Sequence, residues 1–388
     1  MKKADFIWTI ILLLMTGCGG NKQSADDLVV VDVTKNYPEK ELMLQDFMDV
    51  EYIVLDSSDD EFLCQGEVLD VGKEIMLVRN QISDGNIFIF DRNGKGLRKI
   101  NRRGQGPEEY TSITGLTLDE DRGEIFVKSF RKGIIVYDLF GNYLRNLPVR
   151  EDFLYSSELQ NYDREHLICG EYLLRVDENS KETQSGIIIS KKDGSIMNDI
   201  RVHIEKAVNT RVNDGMIEVL LSSMVKSFIP YHDRWILTEL SSDTIFSLLP
   251  DYSMTPFIAR TPSIHSINPE IFLFPVLLTD RYYFMETLKR EVEYTTRIIP
   301  RRKLIYDRQE KTIYRYTVYN SDYAIPKPIE FILRFSNMSN EIAYLQKLEA
   351  YELIELNEKG ELKGKLKEVA ANLDEDSNPV IMLVKHKR

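Results

Sequence analysis

The chain has 388 residues, enough for one large domain or two ordinary ones, and its formal net charge is -12. That balance argues against a nucleic-acid partner, which needs a positive face, and equally against a surface that binds anionic lipid. Twenty Tyr and 17 Phe against two Trp suit a strand-rich protein.

The N-terminus reads as a targeting segment. Lys2 and Lys3 are its positive start, and Phe6–Met15 is an apolar run too short to span a bilayer comfortably but right for a signal-peptide core, with Asp5 an unusual intrusion. Leu14-Met15-Thr16-Gly17-Cys18 resembles a bacterial lipobox, in which the Cys becomes the lipidated first residue of the mature protein. Met15 is a tolerated departure from that pattern. Residues 1–17 are therefore expected to be a signal peptide and Cys18 a lipid anchor, which holds a protein on a membrane without spanning it. Residues 18–27 read as a flexible tether. Its Asp26-Asp27 pair faintly resembles an acidic surface-export signal, and a solvated linker is the simpler reading. Cys64 and Cys169 both sit in apolar surroundings and are expected to be buried free thiols.

Residues 28–388 carry an internal repeat, and the repeat decides the architecture. NIFIFDRNGKGLRKI (Asn86–Ile100) is a hairpin of apolar run, Asp, Gly and second strand, and GIIVYDLFGNYLRNL (Gly133–Leu147) repeats it, with 47 residues from Asp91 to Asp138. Ser185–Ile200 repeats it again with Lys192 at the Asp position, Asp243–Ile258 is a weaker copy, and Lys303–Thr317 is a fifth. Such a period fits a β-propeller, each blade a four-stranded meander. The runs Ile87–Phe90 and Ile134–Tyr137 are apolar throughout because a middle strand covered by two neighbouring blades has no wet face. The expected fold is all-β, a six-bladed β-propeller. Its blades span about Glu67–Ile100, Thr114–Leu147, Leu159–Val202, Val225–Ala259 and Leu277–Val318. The sixth is assembled from Ile329–Phe335 and Pro379–Val384 around a helical insertion at about 341–373. Glu341–Leu356 and the stripe Leu362, Leu366, Val369, Leu373 carry the helical spacing, with Gly360 between them. Val50–Leu55 is expected to close the ring beside the C-terminal strand, and Leu28–Val33 to add a strand on its outside.

The block RRGQGPEEYTSITGLTLDEDRGEIFV with GIIVYDLFGNYLR resembles an NHL-type propeller repeat. Together with ELMLQDFMDVEYIVLDSSDD and the ending NPVIMLVKHK, residues 28–388 resemble the six-bladed β-propeller lipoproteins of gut-type Gram-negative bacteria. The resemblance implies the fold and a cell-envelope location, with the outer membrane as the expected anchor. It implies no catalytic activity.

Its most specific motif is Gly104-Gln105-Gly106-Pro107-Glu108-Glu109-Tyr110, in the link between the first two blades. Gly104, Gly106 and Pro107 set a structural turn. Arg102, Arg103, Glu108, Glu109 and Tyr110 are the candidate ligand-binding residues beside it. No catalytic residue is assigned, since Gly-x-Ser-x-Gly is missing and no carboxylate pair is singled out among 62 acidic residues. No metal site is assigned either. The five His are scattered, and Asp374–Asn378 starts like a calcium loop but has Pro379 where Gly is required. A calcium ion held in the channel by several blades would leave no mark in one sequence. Tyr282-Tyr283-Phe284 and Tyr314, Tyr316 and Tyr319 fit strand packing better than sugar stacking, and Arg297–Lys303 fits a solvated basic loop. The expectation is an envelope-anchored propeller that binds a ligand or an envelope protein on one face, a glycan and a peptide both fitting. The alternatives are a carbohydrate- or ester-active hydrolase or lyase with channel-mouth carboxylates, and a structural subunit of an envelope complex.

Overall fold

The computed structural model describes residues 28–80, 84–150, 153, 158–170, 180–213, 218–293 and 298–387. Residues 1–27, with the expected signal peptide, the expected lipid-anchor Cys18 and the expected tether, lie outside them.

The chain is a ring of six antiparallel blades. Blade one is Glu67–Val71, Ile75–Arg79, Asn86–Asp91 and Gly96–Asn101 from the axis outward. Blade two is Gly115–Asp119, Glu124–Ser129, Gly133–Asp138 and Tyr143–Leu147. Blade three is Leu159–Asn161, His166–Gly170, Glu182–Ser190 and Ile196–His203. Blade four is Phe228–Tyr231, Arg234–Leu237, Thr244–Leu248 and Met254–Thr261. Blade five is Ile271–Leu278, Tyr282–Lys289, Arg301–Asp307 and Thr312–Asn320. The repeat thus gave five blades close to their true places, with blade five beginning earlier than Leu277 and the basic residues Arg301–Lys303 lying on a strand.

The apolar middle strands feed two cores at once. Ile87 and Ile89 pack toward blade two with Leu116 and Val127, while Phe88 and Phe90 pack toward blade six with Ile381 and Leu383. All four are essentially buried, so no alternation is left in the sequence.

The turn between third and outer strands explains the repeated Asp and Gly. Asp91 and Asp138 each accept backbone N–H groups across the turn, and Gly94 and Gly141 take positive φ. Each glycine also presses on the preceding blade: a Cβ at Gly94 would meet the Val54 carbonyl at 1.9 Å. In blade three the Asp role falls to Ser190, not to the register that put Lys192 there. Ser190 Oγ accepts the Lys192 N–H in a turn one residue longer.

Blade six departs from expectation. It consists of Ile342–Leu348, Val380–His386 and Met48–Val54. Ile342–Leu348 is a strand and not the start of the helical insertion. Ile342, Leu345 and Leu348 have helical spacing, but Ala343 and Tyr344 between them are buried too, which marks a strand covered on both faces. The helices are Ala350–Glu358 and Gly364–Ala370, with Gly360 between them at φ 71°. Ile329–Phe335 supplies no strand to blade six: Lys327–Ile329 pairs with the outer strand of blade five, and Leu333–Phe335 is a single tight turn.

Closure is as expected, with Met48–Val54 antiparallel to the C-terminal strand. The N-terminal segment does more, however. Val29–Asp32 runs parallel along the outer strand of blade four, and Glu39–Met43 along that of blade five. Residues 28–54 therefore cover three consecutive sheet edges that would otherwise template aggregation. Cys64 and Cys169 are both free, Cys169 fully buried and Cys64 partly so.

Candidate functional site

The ring axis is a cavity of about 1230 Å³, lined by the inner strands of blades one to four and by residues 333–335 and 338–342. Blade five is screened from it. Where blade six would hold an inner strand, the chain makes only a bridge between Ser336 and Tyr344. Asn337 then turns across blade five, accepting the Leu278 N–H at 3.0 Å and donating to the Val276 carbonyl at 2.7 Å.

Side chains tie the inner strands together. Asp70 on blade one accepts the N–H of Val71 and, at 2.8 Å, that of Leu118 on blade two. Thr117 donates its hydroxyl to the Leu159 carbonyl, and Asn161 reaches back to that of Leu118. Glu158 accepts Ser227 N–H at 3.0 Å and Phe228 N–H at 2.8 Å, joining blade three to blade four, with Gln160 on its first oxygen as well.

The end of the channel where the inner strands begin also holds cations. Glu67 is shared by Arg79, at 2.8 Å, and Arg334, at 2.7 Å. Lys226 differs from these two. Its ammonium donates to the Ser336 carbonyl at 2.8 Å and forms no ion pair with a described residue. Asp70 and Glu158 act on it only through longer-range attraction. Burial lowers the Lys226 ammonium to about 8, with Glu158 and Asp70 opposing. Burial likewise raises the Asp70 carboxyl to about 6, against the pull of the Leu118 and Val71 N–H groups, and raises Glu158. Groups displaced this far, converging on the wall of one large cavity, are a physical mark of a ligand site.

The residues singled out from sequence lie elsewhere. None of Arg102, Arg103, Glu108, Glu109 and Tyr110 lines the cavity. Tyr110 is fully buried; its hydroxyl accepts the Arg102 N–H and donates to the Gly85 carbonyl at 2.6 Å. Glu109 accepts the Gly106 N–H, and a Cβ at Gly104 would overlap that carboxylate at 1.8 Å. Arg102 Nε donates to the Gly141 carbonyl. Tyr137 and Asn146 reach the carbonyls of Glu108 and Pro107, while the Arg103 and Glu108 residues themselves are exposed. Tyr282, Tyr283 and Phe284 are buried in the shared core of blades four to six. Among the described residues, no group of three or more His, Cys, Asp or Glu side chains is placed to hold a metal ion.

The sequence carried no signal for Asp70, Glu158 or Lys226. Each stands once, in a blade whose counterparts hold other residues, and they meet only because the ring closes.

A family profile described as "Domain of unknown function (DUF4934)" matches residues 28–385. No curated protein matches the chain. Among solved structures, a protein of Bacteroides fragilis NCTC 9343 described as a "putative exported protein" superposes with a TM-score of 0.57 at 14% identity, over 90% of this chain and 99% of that one. The structure of U3-55K reaches a TM-score of 0.39 at 9% identity, over 86% of this chain and 98% of that one. The Bacteroides likeness shows the fold. No helix among the described residues is long and apolar enough to cross a membrane.

Proposed function

Because the chain belongs to the family described as DUF4934, whose description assigns no activity, we propose a function from the channel itself. The protein is an exported propeller, anchored to the cell envelope through a lipid on Cys18, that binds a small polar ligand in its central channel without transforming it. The observation that carries this reading is Lys226, a cation inside the cavity wall held by one carbonyl and by no carboxylate among the described residues. Lysine has three donors, so its remaining N–H groups are left for a ligand's carboxylate or hydroxyl.

The hydrolase alternative needs a carboxylate free to move a proton. Glu158 spends both oxygens on backbone N–H groups of the next blade, and Asp70 spends one on Leu118 of the next blade and one on Val71 beside it, which favours binding over catalysis. The likeness to a Bacteroides protein described as exported supports the envelope location, as does the lipobox-like Leu14–Cys18.

Trp235 lies in the cavity wall and reports on its contents. Titrating glucuronate into the full chain should change the indole fluorescence, and Lys226→Met should weaken that response about tenfold, the scale of one lost charge-assisted hydrogen bond. An equal response from Lys226→Met would overturn the role given to Lys226. Cys18→Ala should move the protein from the membrane to the soluble fraction of cells; retention there would refute the anchor.

A further inference from the structure

The other end of the channel, where the inner strands finish, carries side chains that the charged cluster does not use. Tyr162 directly follows the inner strand of blade three, and Trp235 lies on the second strand of blade four. Their rings stack at 5.9 Å with 17° between planes, and both line the cavity. Tyr252 stacks on Tyr162 in turn, at 6.0 Å, from a backbone in the left-handed region at φ 66°. A tyrosine or tryptophan this enclosed ordinarily gives its polar edge to a protein partner. Here neither the Tyr162 hydroxyl nor the Trp235 indole N–H bonds to a described residue, and neither atom is fully sealed from solvent. Asp163 and Asp233 flank the pair on the same wall; Asp163 also accepts the Glu165 and His166 N–H groups and pairs with the His166 ring at 2.9 Å, and Asp233 pairs with Arg234 at 3.3 Å. An aromatic wall with open donors at its edge and carboxylates beside it matches an apolar ring face bordered by hydroxyl groups. It does not match a purely apolar ligand, which would strand those groups.

Trp235 is largely buried in the core between blades three and four, with Tyr162 and Tyr252 packed against it, so a ligand meets its edge and the uncovered part of Tyr162. We propose that this end of the channel is a saccharide subsite, where a pyranose ring rests against that edge and Tyr162 while its hydroxyls meet the Tyr162 O–H, the Trp235 N–H and the carboxylates of Asp163 and Asp233. The proposal rests on the reading that the channel binds a ligand, and it names the class. From Glu158 to Tyr162 the chain advances four residues, or about 13 Å of strand. A ligand that touches both ends is therefore longer than one sugar ring. The class that satisfies both is a short oligosaccharide carrying one uronic acid, its carboxylate toward Lys226.

The test uses the full chain and matched hexose disaccharides, neutral and with one ring oxidised to the uronic acid, followed by calorimetry and by indole emission. Trp235→Phe assigns the emission change, since the other Trp is Trp8. Neutral and acidic disaccharides should both bind. Tyr162→Ala should weaken both about tenfold, as loss of an aromatic contact does. Tyr162→Phe, which keeps the ring and the packing, should cost only a few-fold. Lys226→Met should weaken the acidic sugars alone. Binding of both sugars unchanged by Tyr162→Ala would overturn the subsite. So would binding of free glucuronate with no disaccharide bound, and that outcome would leave the Lys226 site standing. If neither glucuronate nor any disaccharide binds the wild type, both readings fall.

Discussion

Lys226, just before the inner strand of blade four, donates to the carbonyl of Ser336, in the stretch that replaces an inner strand in blade six, at 2.8 Å. The bond spans the side of the channel that blade five would otherwise occupy. It holds a positive charge where burial disfavours one, so Lys226 titrates near 8 in the folded protein against roughly 10.4 in an unfolded chain. Between those values the unfolded state binds more protons, so this group makes stability rise with pH. Denaturant unfolding at pH 8 and pH 10 should show wild type gaining on Lys226→Met as pH rises. A constant difference would mean that the ammonium is not buried as described.

Glu158 is a structural tie before it is anything else. Glu158→Gln replaces one acceptor by an amide that points donors at the Ser227 or Phe228 N–H. The expected cost is about 1–3 kcal/mol, read as a lower urea midpoint with an unchanged slope. A variant as stable as wild type would free this carboxylate for another role and reopen the hydrolase reading.

Gly94 and Gly360 both have positive φ, yet only Gly94 faces another blade. Gly360→Ala meets nothing within 4 Å and should cost only the left-handed penalty of about 1–2 kcal/mol. Gly94→Ala adds a collision with the Val54 carbonyl that closes the ring, and should lower the melting temperature clearly more. Equal losses would show that blade one can move away from blade six without cost.

Lys128 is fully buried on blade two, and its ammonium has no hydrogen-bond partner among the described residues. Burial lowers its pKa, with Cys169 and Glu158 opposing. Its neighbour on the same face, Phe126, packs against Leu167 and Ile187 of blade three. Lys128→Met keeps the stem and removes the unpartnered amine, so it should stabilise the protein by about 1 kcal/mol or more in a urea titration. Destabilisation would indicate that the amine serves a partner.

The ring was legible because its evidence is local and repeated. The Asp91 and Asp138 turns, their glycines and the apolar strands before them recur at a fixed interval, and each is forced by backbone geometry. Blade six was less legible for the converse reason. It has no inner strand, its outer strand comes from Met48–Val54, and the buried run Ile342–Leu345 satisfies helical and strand patterns alike. The edge strand Val29–Asp32 could be anticipated as an outer addition, but its partner could not, because pairing to residues more than 200 positions away leaves no local mark. The Gly104–Tyr110 turn stood out because it is contiguous, and its distinctiveness follows from the hydrogen bonds of Tyr110 and Glu109 within and around the turn. The channel groups had the opposite character: Asp70, Glu158, Lys226 and Trp235 come from separate blades at positions the repeat does not preserve.

The central claim is that the channel, through Lys226, is where this propeller binds. The direct measurement is calorimetric titration of an acidic hexose disaccharide into the full chain, the Lys226→Met variant and the Glu108→Ala variant. The expected result is binding about tenfold weaker in Lys226→Met and unchanged in Glu108→Ala. Wild-type affinity in Lys226→Met together with lost binding in Glu108→Ala would contradict it and move the site to the turn at Gly104–Tyr110.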